Sequence, residues 1–179
     1  NHDVDTVAGT ASRLAQRMLV SQCAVMTGWI LMTFDISKAF LQGMSYDEIA
    51  RRTGEAQREV SFALPRGADA NLRQFQGYAD YSEPLYCLRC LKPGTGTVDA
   101  PTGLGMMLKV KLESDGPAWV ATSVDPELYV RFHDGVLVGL IAVHVDDLKC
   151  YGDEKFYAEV MPKVEGAFPF GSWEEGAIK

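Results

Sequence analysis

What this sequence has little of narrows its class first. No apolar run approaches the roughly 20 residues of a membrane-spanning helix, so no membrane association is expected. The N-terminus, NHDVDTVAG, has neither the basic start nor the apolar core of a secretory signal. It also lacks an initiator methionine, and the chain reads as an intracellular piece of a longer polypeptide. The four cysteines, Cys23, Cys87, Cys90 and Cys150, are too few and too scattered for a disulfide scaffold in 179 residues, which predicts reduced thiols. Cys87 and Cys90 form a C-x-x-C, but a zinc site needs a second ligand pair, and His133 and His144 supply neither its spacing nor a partner motif. Positive charge is scarce as well. A formal net charge of −7 lacks the basic balance usual on nucleic-acid-binding surfaces. No internal repeat is visible, and the GTGT at 94–97 lacks both the Gly-Lys-Ser/Thr ending and the flanking strand of a phosphate-binding loop.

What is present fits one domain with an ordinary globular balance of 47% hydrophobic and 23% charged residues. Residues 10–27 carry the 3.6-residue period of an amphipathic helix, with Leu14, Met18 and Val25 on one face, Ala15, Leu19, Cys23 and Met26 beside it, and Arg13, Arg17 and Ser21 opposite. Gly28 closes it. WILMTFDI reads as a strand, SKAFLQG as a short helix or turn stopped by Gly43, and MSYDEIARRTG as a helix with a Ser45 cap and Glu48 at the capping-box spacing. From about Pro65 to Pro117, Gly, Pro and Asp are dense, which predicts turns and loops. Two strands joined by a tight connection at Gly135 follow, the second, VLVGLIAVHV, apolar on both faces and so central. A helical period then runs through Phe156, Val160 and Val164, with Pro162 set to kink or end it.

The chemistry lies in LIAVHVDDLKCYGD. Two adjacent aspartates at the end of an apolar strand repel one another, and a divalent cation would offset that cost. Successive side chains on a strand point to opposite faces, so Asp146 and Asp147 can serve one ion only from the tight turn of a hairpin, with LKCY as the return strand. A third carboxylate belongs on a neighbouring strand end, and Asp35, closing WILMTF, is the candidate. Three such carboxylates can hold two divalent ions about 3.5–4 Å apart, and oxygen ligands suit Mg2+ or Mn2+. The same residues also fit a plainer reading, in which Asp35 caps a helix and the pair marks an ordinary hairpin turn.

FDISKAFLQG resembles motif A of reverse transcriptases in the form used by copia-type LTR retrotransposons, whose usual string is close to LDVKTAFLNG. HVDD resembles their YVDD motif C, and DPELYVRFHDGVLVGLIAVHVDDLKCYGD is similar over its length to the segment leading into it. TASRLAQRMLVSQCAVMTGW is similar to the helix before motif A, and FALPRG to the short Pro-x-Gly segment after it. The resemblance runs from about residue 6 to 179 and takes the whole of 1–179 as a fragment of a reverse transcriptase domain. It implies an α+β polymerase palm with part of the fingers, an antiparallel sheet backed by helices on one face. It also implies RNA-directed DNA synthesis by two-metal nucleotidyl transfer.

Carried over residue by residue, the resemblance assigns Asp35, Asp146 and Asp147 to catalysis and to two Mg2+ or Mn2+ ions, with the backbone carbonyl of Ile36 near the second ion. Phe40 matches the bulky residue under the sugar of the incoming nucleotide, where a ring leaves no room for a 2′-hydroxyl. His144 and Val145 fall where primer or template is contacted, and Gln42 and Gly43 take a structural role. The implied partners are an RNA or DNA template-primer, deoxynucleoside triphosphates, and the integrase and RNase H of a Pol polyprotein. The implied place is a cytoplasmic virus-like particle, with the nucleus as an alternative. Departures matter too. The family's YGLKQAPRAW stands here as TGTVDAPTGL, Thr95 to Leu104, without its Lys, Arg and Trp, and His144 replaces a Tyr. The basic KARLVAKG-like fingers segment, thumb, connection and RNase H are missing from the sequence, so the isolated chain is expected not to polymerise. The rival expectation is a decayed or repurposed palm that folds and binds nucleic acid or protein without making DNA.

Overall fold

Alternation along VLVGLIAVH decides how the molecule is layered, because a strand with two apolar faces needs a cover on each. The computed structural model describes residues 9–82, 85–114 and 119–176, with only the backbone of residues 170 and 172–176. Residues 6–8, Pro117 and residues 177–179, included in the readings above, lie outside the described residues. In chain order the elements are helix α1 (Arg13–Val25), strand β1 (Ile30–Ile36), a 3₁₀ turn (Ala39–Gln42), α2 (Tyr46–Thr53), β2 (Ser61–Phe62), α3 (Asp69–Leu72), β3 (Leu88–Arg89) and α4 (Ala100–Ser114). They continue with β4 (Val120–Ala121), β5 (Leu128–His133), β6 (Val136–His144), β7 (Asp147–Gly152), α5 (Glu154–Glu159), α6 (Met161–Ala167) and β8 (Phe170–Gly176).

Six strands form one antiparallel sheet in the order β4-β5-β6-β7-β1-β8, and β2 pairs with β3 in a separate ribbon. With the intervening elements set aside, β1, α4, β6, β7, α5–α6 and β8 follow a β-α-β-β-α-β order in which β7 inserts between β1 and β6, a split β-α-β arrangement. The α+β class with an antiparallel sheet is therefore as expected. Ile141 and Val143 of β6 join Phe34, Ile36, Leu148 and Cys150 under Leu104, Leu108 and Leu112 of α4 and Phe156, Val160 and Val164 of α5–α6. Leu140 and Ala142 face the other way, onto Ala11, Ala15 and Leu19 beside Leu128 and Tyr151. Helices thus cover both faces, which corrects the expectation of helices on one face: α1 supplies the second layer that the doubly apolar β6 requires.

α1 also contacts the sheet through a different stripe from the one its period suggested. Ala15 and Leu19 are buried, with Cys23 and Met26 packed beside them, while Leu14, Met18 and Val25 are 64%, 45% and 74% exposed. The apolar arc of this helix is wider than the strip that touches a sheet, and small Ala11 and Ala15 let the backbone approach closely. The Tyr151 hydroxyl donates to the Gln22 carbonyl at 3.0 Å, tying the last turn of α1 to β7, and burial pushes that phenol up to about 12. The Ser45 cap falls where expected, its hydroxyl accepting from the Glu48 amide; the Ser12 hydroxyl accepts from the Ala15 amide in the same way, α1 ends at Val25 ahead of the expected Gly28, and Gly54 ends α2 in the left-handed region with φ 74°. Pro162 sits in the first turn of α6, after a break at Val160, so the helix restarts there.

The 15-residue helix α4 occupies a stretch expected to be loop. Its leucines, Leu104, Leu108 and Leu112, recur at helical spacing, but Pro101, Gly103 and Gly105 read as breakers. Pro101 falls in the first turn, where its missing N–H costs nothing. Gly103 serves packing: a Cβ there would lie 3.2 Å from Pro93 Cγ, and one on Gly43 only 3.1 Å from the Gly103 carbonyl carbon.

A second glycine pair supports the sheet. Gly139 and Gly152 are register partners, and the ring of buried Phe156 lies over both, 5.7 Å from Trp119 and 5.0 Å from Tyr157 in edge-on contacts. A Cβ on Gly139 would lie 2.3 Å from Phe156 Cε2. Gly139→Ala is expected to cost about 1–3 kcal/mol through overpacking, read as a lower urea midpoint at unchanged slope, and Phe156→Leu added to it should restore part of the loss. Simple addition of the two losses would show that the ring and the methyl do not compete.

Candidate metal and nucleotide site

β1 and β7 pair so that Asp35 stands directly opposite Asp147, and β6 and β7 pair so that His144 does too. Directly opposed residues share a face, and their Cβ atoms lie about 4.5–5.5 Å apart. The row His144, Asp147, Asp35 therefore crosses three neighbouring strands on the side of the sheet that carries Leu31 and Tyr151, the side covered by α1. Both aspartates are half-buried and His144 is exposed. On the far side, Asp35 pairs with Ser172 of β8, and the register slips by a bulge between Asp35 and Ile36. A Cβ on Gly171 would lie 2.9 Å from Asp35 Oδ2, so this glycine leaves the room that the carboxylate occupies.

Asp146 sits in the two-residue loop between β6 and β7 together with Val145. Its carbonyl accepts the Ile36 amide at 3.0 Å, which stitches the hairpin turn to the end of β1. Val145 has φ 59°, and the positive φ falls only on the first loop residue, the pattern of a type II′ turn. A β-branched residue there is strained. The side chain of Ile36 is buried in the core beneath the row.

The donor chemistry fits a hard divalent ion, since Asp35, Asp146 and Asp147 bring carboxylate oxygens to adjacent strand ends. Among the described residues, no group of three or more His, Cys, Asp or Glu side chains is already gathered as an ion site. Phe40, half-buried in the 3₁₀ turn, packs against the core on the α4 side. Lys38, left-handed at φ 50°, turns the chain out of β1, and the Gln42 amide donates to the Ser37 carbonyl, closing the same loop. Gln42 and Gly43 thus have structural work of their own.

In the segment Thr95 to Leu104, Thr97 closes a turn on Gly94, and Asp99 is 6% exposed. Its carboxylate accepts from the Tyr46 hydroxyl at 3.3 Å and from Arg58 Nη1 at 3.0 Å. This triad was missed in sequence, where the only signal was an acid just before the leucine period of α4. Burial first, then the charge of Asp99, pushes the Tyr46 phenol up. Cys87 is exposed and Cys90 half-buried, both as free thiols, and burial pushes the Cys150 thiol up. No helix of the described residues is long and apolar enough to cross a membrane. No family model, curated protein or solved structure gives a significant match to the chain.

Val145→Gly removes a left-handed strain of about 1–2 kcal/mol, set against roughly 0.4–1 kcal/mol of added unfolded-chain freedom. A small rise in melting temperature is expected, and a fall would show that Val145 is held by contacts worth more than its strain.

Proposed function

We propose that this chain is the palm of an RNA-directed DNA polymerase of the copia-type retrotransposon kind. The observation that supports it most is the register setting Asp35 opposite Asp147, with Asp146 in the adjoining turn. Two segments far apart in sequence, each resembling a polymerase motif, meet at the ends of two central strands of the sheet. Asp35 and Asp147 would hold the ions from neighbouring strands and Asp146 from the hairpin tip, with the Ile36 carbonyl beside them at the bulge. When bound, two Mg2+ or Mn2+ ions supply the charge that activates a primer 3′-hydroxyl and stabilises the leaving pyrophosphate. The hydroxyl would give its proton to solvent and its oxygen form a bond to the α-phosphorus as the bond to pyrophosphate breaks. Phe40 fills the space of a 2′-hydroxyl and so selects deoxynucleotides, and exposed His144 with Val145 meets primer or template beside the carboxylates. Integrase and RNase H of a Pol polyprotein are the partners this role implies.

One observation favours the second reading, a palm that no longer makes DNA. Where the family presents Lys and Arg, the segment Thr95 to Leu104 carries a single charged residue, Asp99, and that carboxylate is buried on Tyr46 and Arg58.

Metal binding tests the site directly. Mn2+ or Mg2+ binding to the native state should raise the melting temperature, and Asp146→Asn should remove most of the rise. An equal rise in the variant would place the ion elsewhere. In a chimaera carrying the fingers and thumb of an active relative, primer extension with Phe40→Ala admitting ribonucleotides separates the polymerase from the silent palm, which would extend nothing.

A further inference from the structure

The hairpin that carries Asp146 is held on its outer edge by something other than a regular strand. β5 pairs with β6 only as far as Leu128 and Ala142, so the end of β6 needs another partner there. The Val143 amide donates to the Glu127 carbonyl at 2.9 Å, and the Val143 carbonyl accepts the Ala11 amide at 2.8 Å. Thr10 bridges His144, and the Val145 amide, inside the strained loop, donates to the Gly9 carbonyl at 3.2 Å. Residues 9–11 thus act as a short strand alongside the catalytic turn before the chain enters α1 at Ser12.

A single side chain fixes both of the segments that do this. Asp125 is 5% exposed; one carboxylate oxygen accepts the Ser12 amide at 2.7 Å and the other the Glu127 amide at 2.9 Å. Its own backbone is pinned by the Thr122 hydroxyl, which donates to the Asp125 carbonyl at 2.8 Å and accepts its amide at 3.2 Å. Burial by itself would raise the Asp125 carboxyl, but the hydrogen bonds from Ser12 and Glu127 outweigh it and hold the group below its ordinary value, as a charged acceptor. The end of the Glu127 side chain lies over Gly9, where a Cβ would come 2.2 Å from Oε1.

We propose that Asp125 is a positioning residue for the carboxylate hairpin, fixing Ser12 and Glu127 so that residues 9–11 and Glu127 together set Val143 to Val145 and the turn bearing Asp146. Its consequence for metal binding rests on the functional reading above; its consequence for the turn does not.

The test uses the full 179-residue chain, as Asp125→Ala and Asp125→Asn, with amide hydrogen exchange as the first measurement. Asp125→Ala should speed exchange at Ala11 and Val145 by about 10-fold or more, as expected for loss of hydrogen bonds to a charged acceptor, and leave Cys150 at the centre of β7 protected. Asp125→Asn, which keeps one good acceptor oxygen, should lie between, and it carries the comparison should the alanine variant unfold. The second measurement is Mn2+ affinity, expected to weaken several-fold in Asp125→Ala. Faster exchange confined to α1, with Val145 unchanged, would make Asp125 a helix cap only and overturn the proposal. A wild-type chain that binds no Mn2+ would instead overturn the functional reading, leaving exchange at Val145 to decide the role of Asp125.

Discussion

A one-residue slip between β1 and β7 would turn Asp35 to the opposite face of the sheet from Asp147, because side chains alternate with a period of two. The register of that pair is the constraint on which the rest of this structure depends. It is held where burial penalises any slip: Phe34 and Ile36 of β1 and Leu148 and Cys150 of β7 all enter one core on the α4 side, and a shifted strand would bring Thr33 and Asp35 into it. The hydrophobic face on one side thus fixes the polar row on the other. The Tyr157 hydroxyl adds a lock, 2.7 Å from the Cys150 carbonyl on β7 and 2.9 Å from that of Ile30 on β1.

The site stands on close packing, and glycine is what permits it. Gly139 and Gly152 let Phe156 lie on the sheet, Gly43 and Gly103 let the 3₁₀ turn touch α4, Gly171 makes room for the Asp35 carboxylate, and Gly9 lets the N-terminal segment pass Glu127. At the first two pairs a methyl group would displace backbone or a ring, and at Gly171 and Gly9 the end of a carboxylate side chain, so the chain gives up side-chain burial for proximity. The strain of Val145 belongs to the same arrangement. The turn is tied on both sides, through the Asp146 carbonyl to Ile36 and through the Val145 amide to Gly9, and such over-determination lets an unfavourable φ persist.

Much of the fold was legible. The strands read at WILMTFDI, VLVGLIAVHV and LKCY, the LYVRF end of ATSVDPELYVRF, the Ser45 cap, the turn at Gly135 and the break at Pro162 all follow from local pattern, whereas the rest of ATSVDPELYVRF is largely turn. Asp134 and Gly135, both at positive φ, form the hairpin turn that an Asp-Gly pair favours. α4 was hidden because its glycines were read as chain breakers, when Gly103 is there for contact with residues distant in sequence and Gly105 simply faces open space. The contact stripe of α1 was misjudged because a broad apolar arc does not say which flank meets the sheet.

The sequence by itself determined the periodicities, the caps, the turns and the two acidic motifs, all of which are local and set by backbone sterics and by neighbours within a helical turn. Only the tertiary structure decided which residues share a face across strands: Asp35 beside Asp147, His144 in the same row, Asp99 buried on Tyr46 and Arg58, and Asp125 clamping Ser12 to Glu127. Those groupings depend on strand order and on which helix covers which face. Both are settled by burying all the apolar surface at once, and no single stretch of the chain encodes that balance.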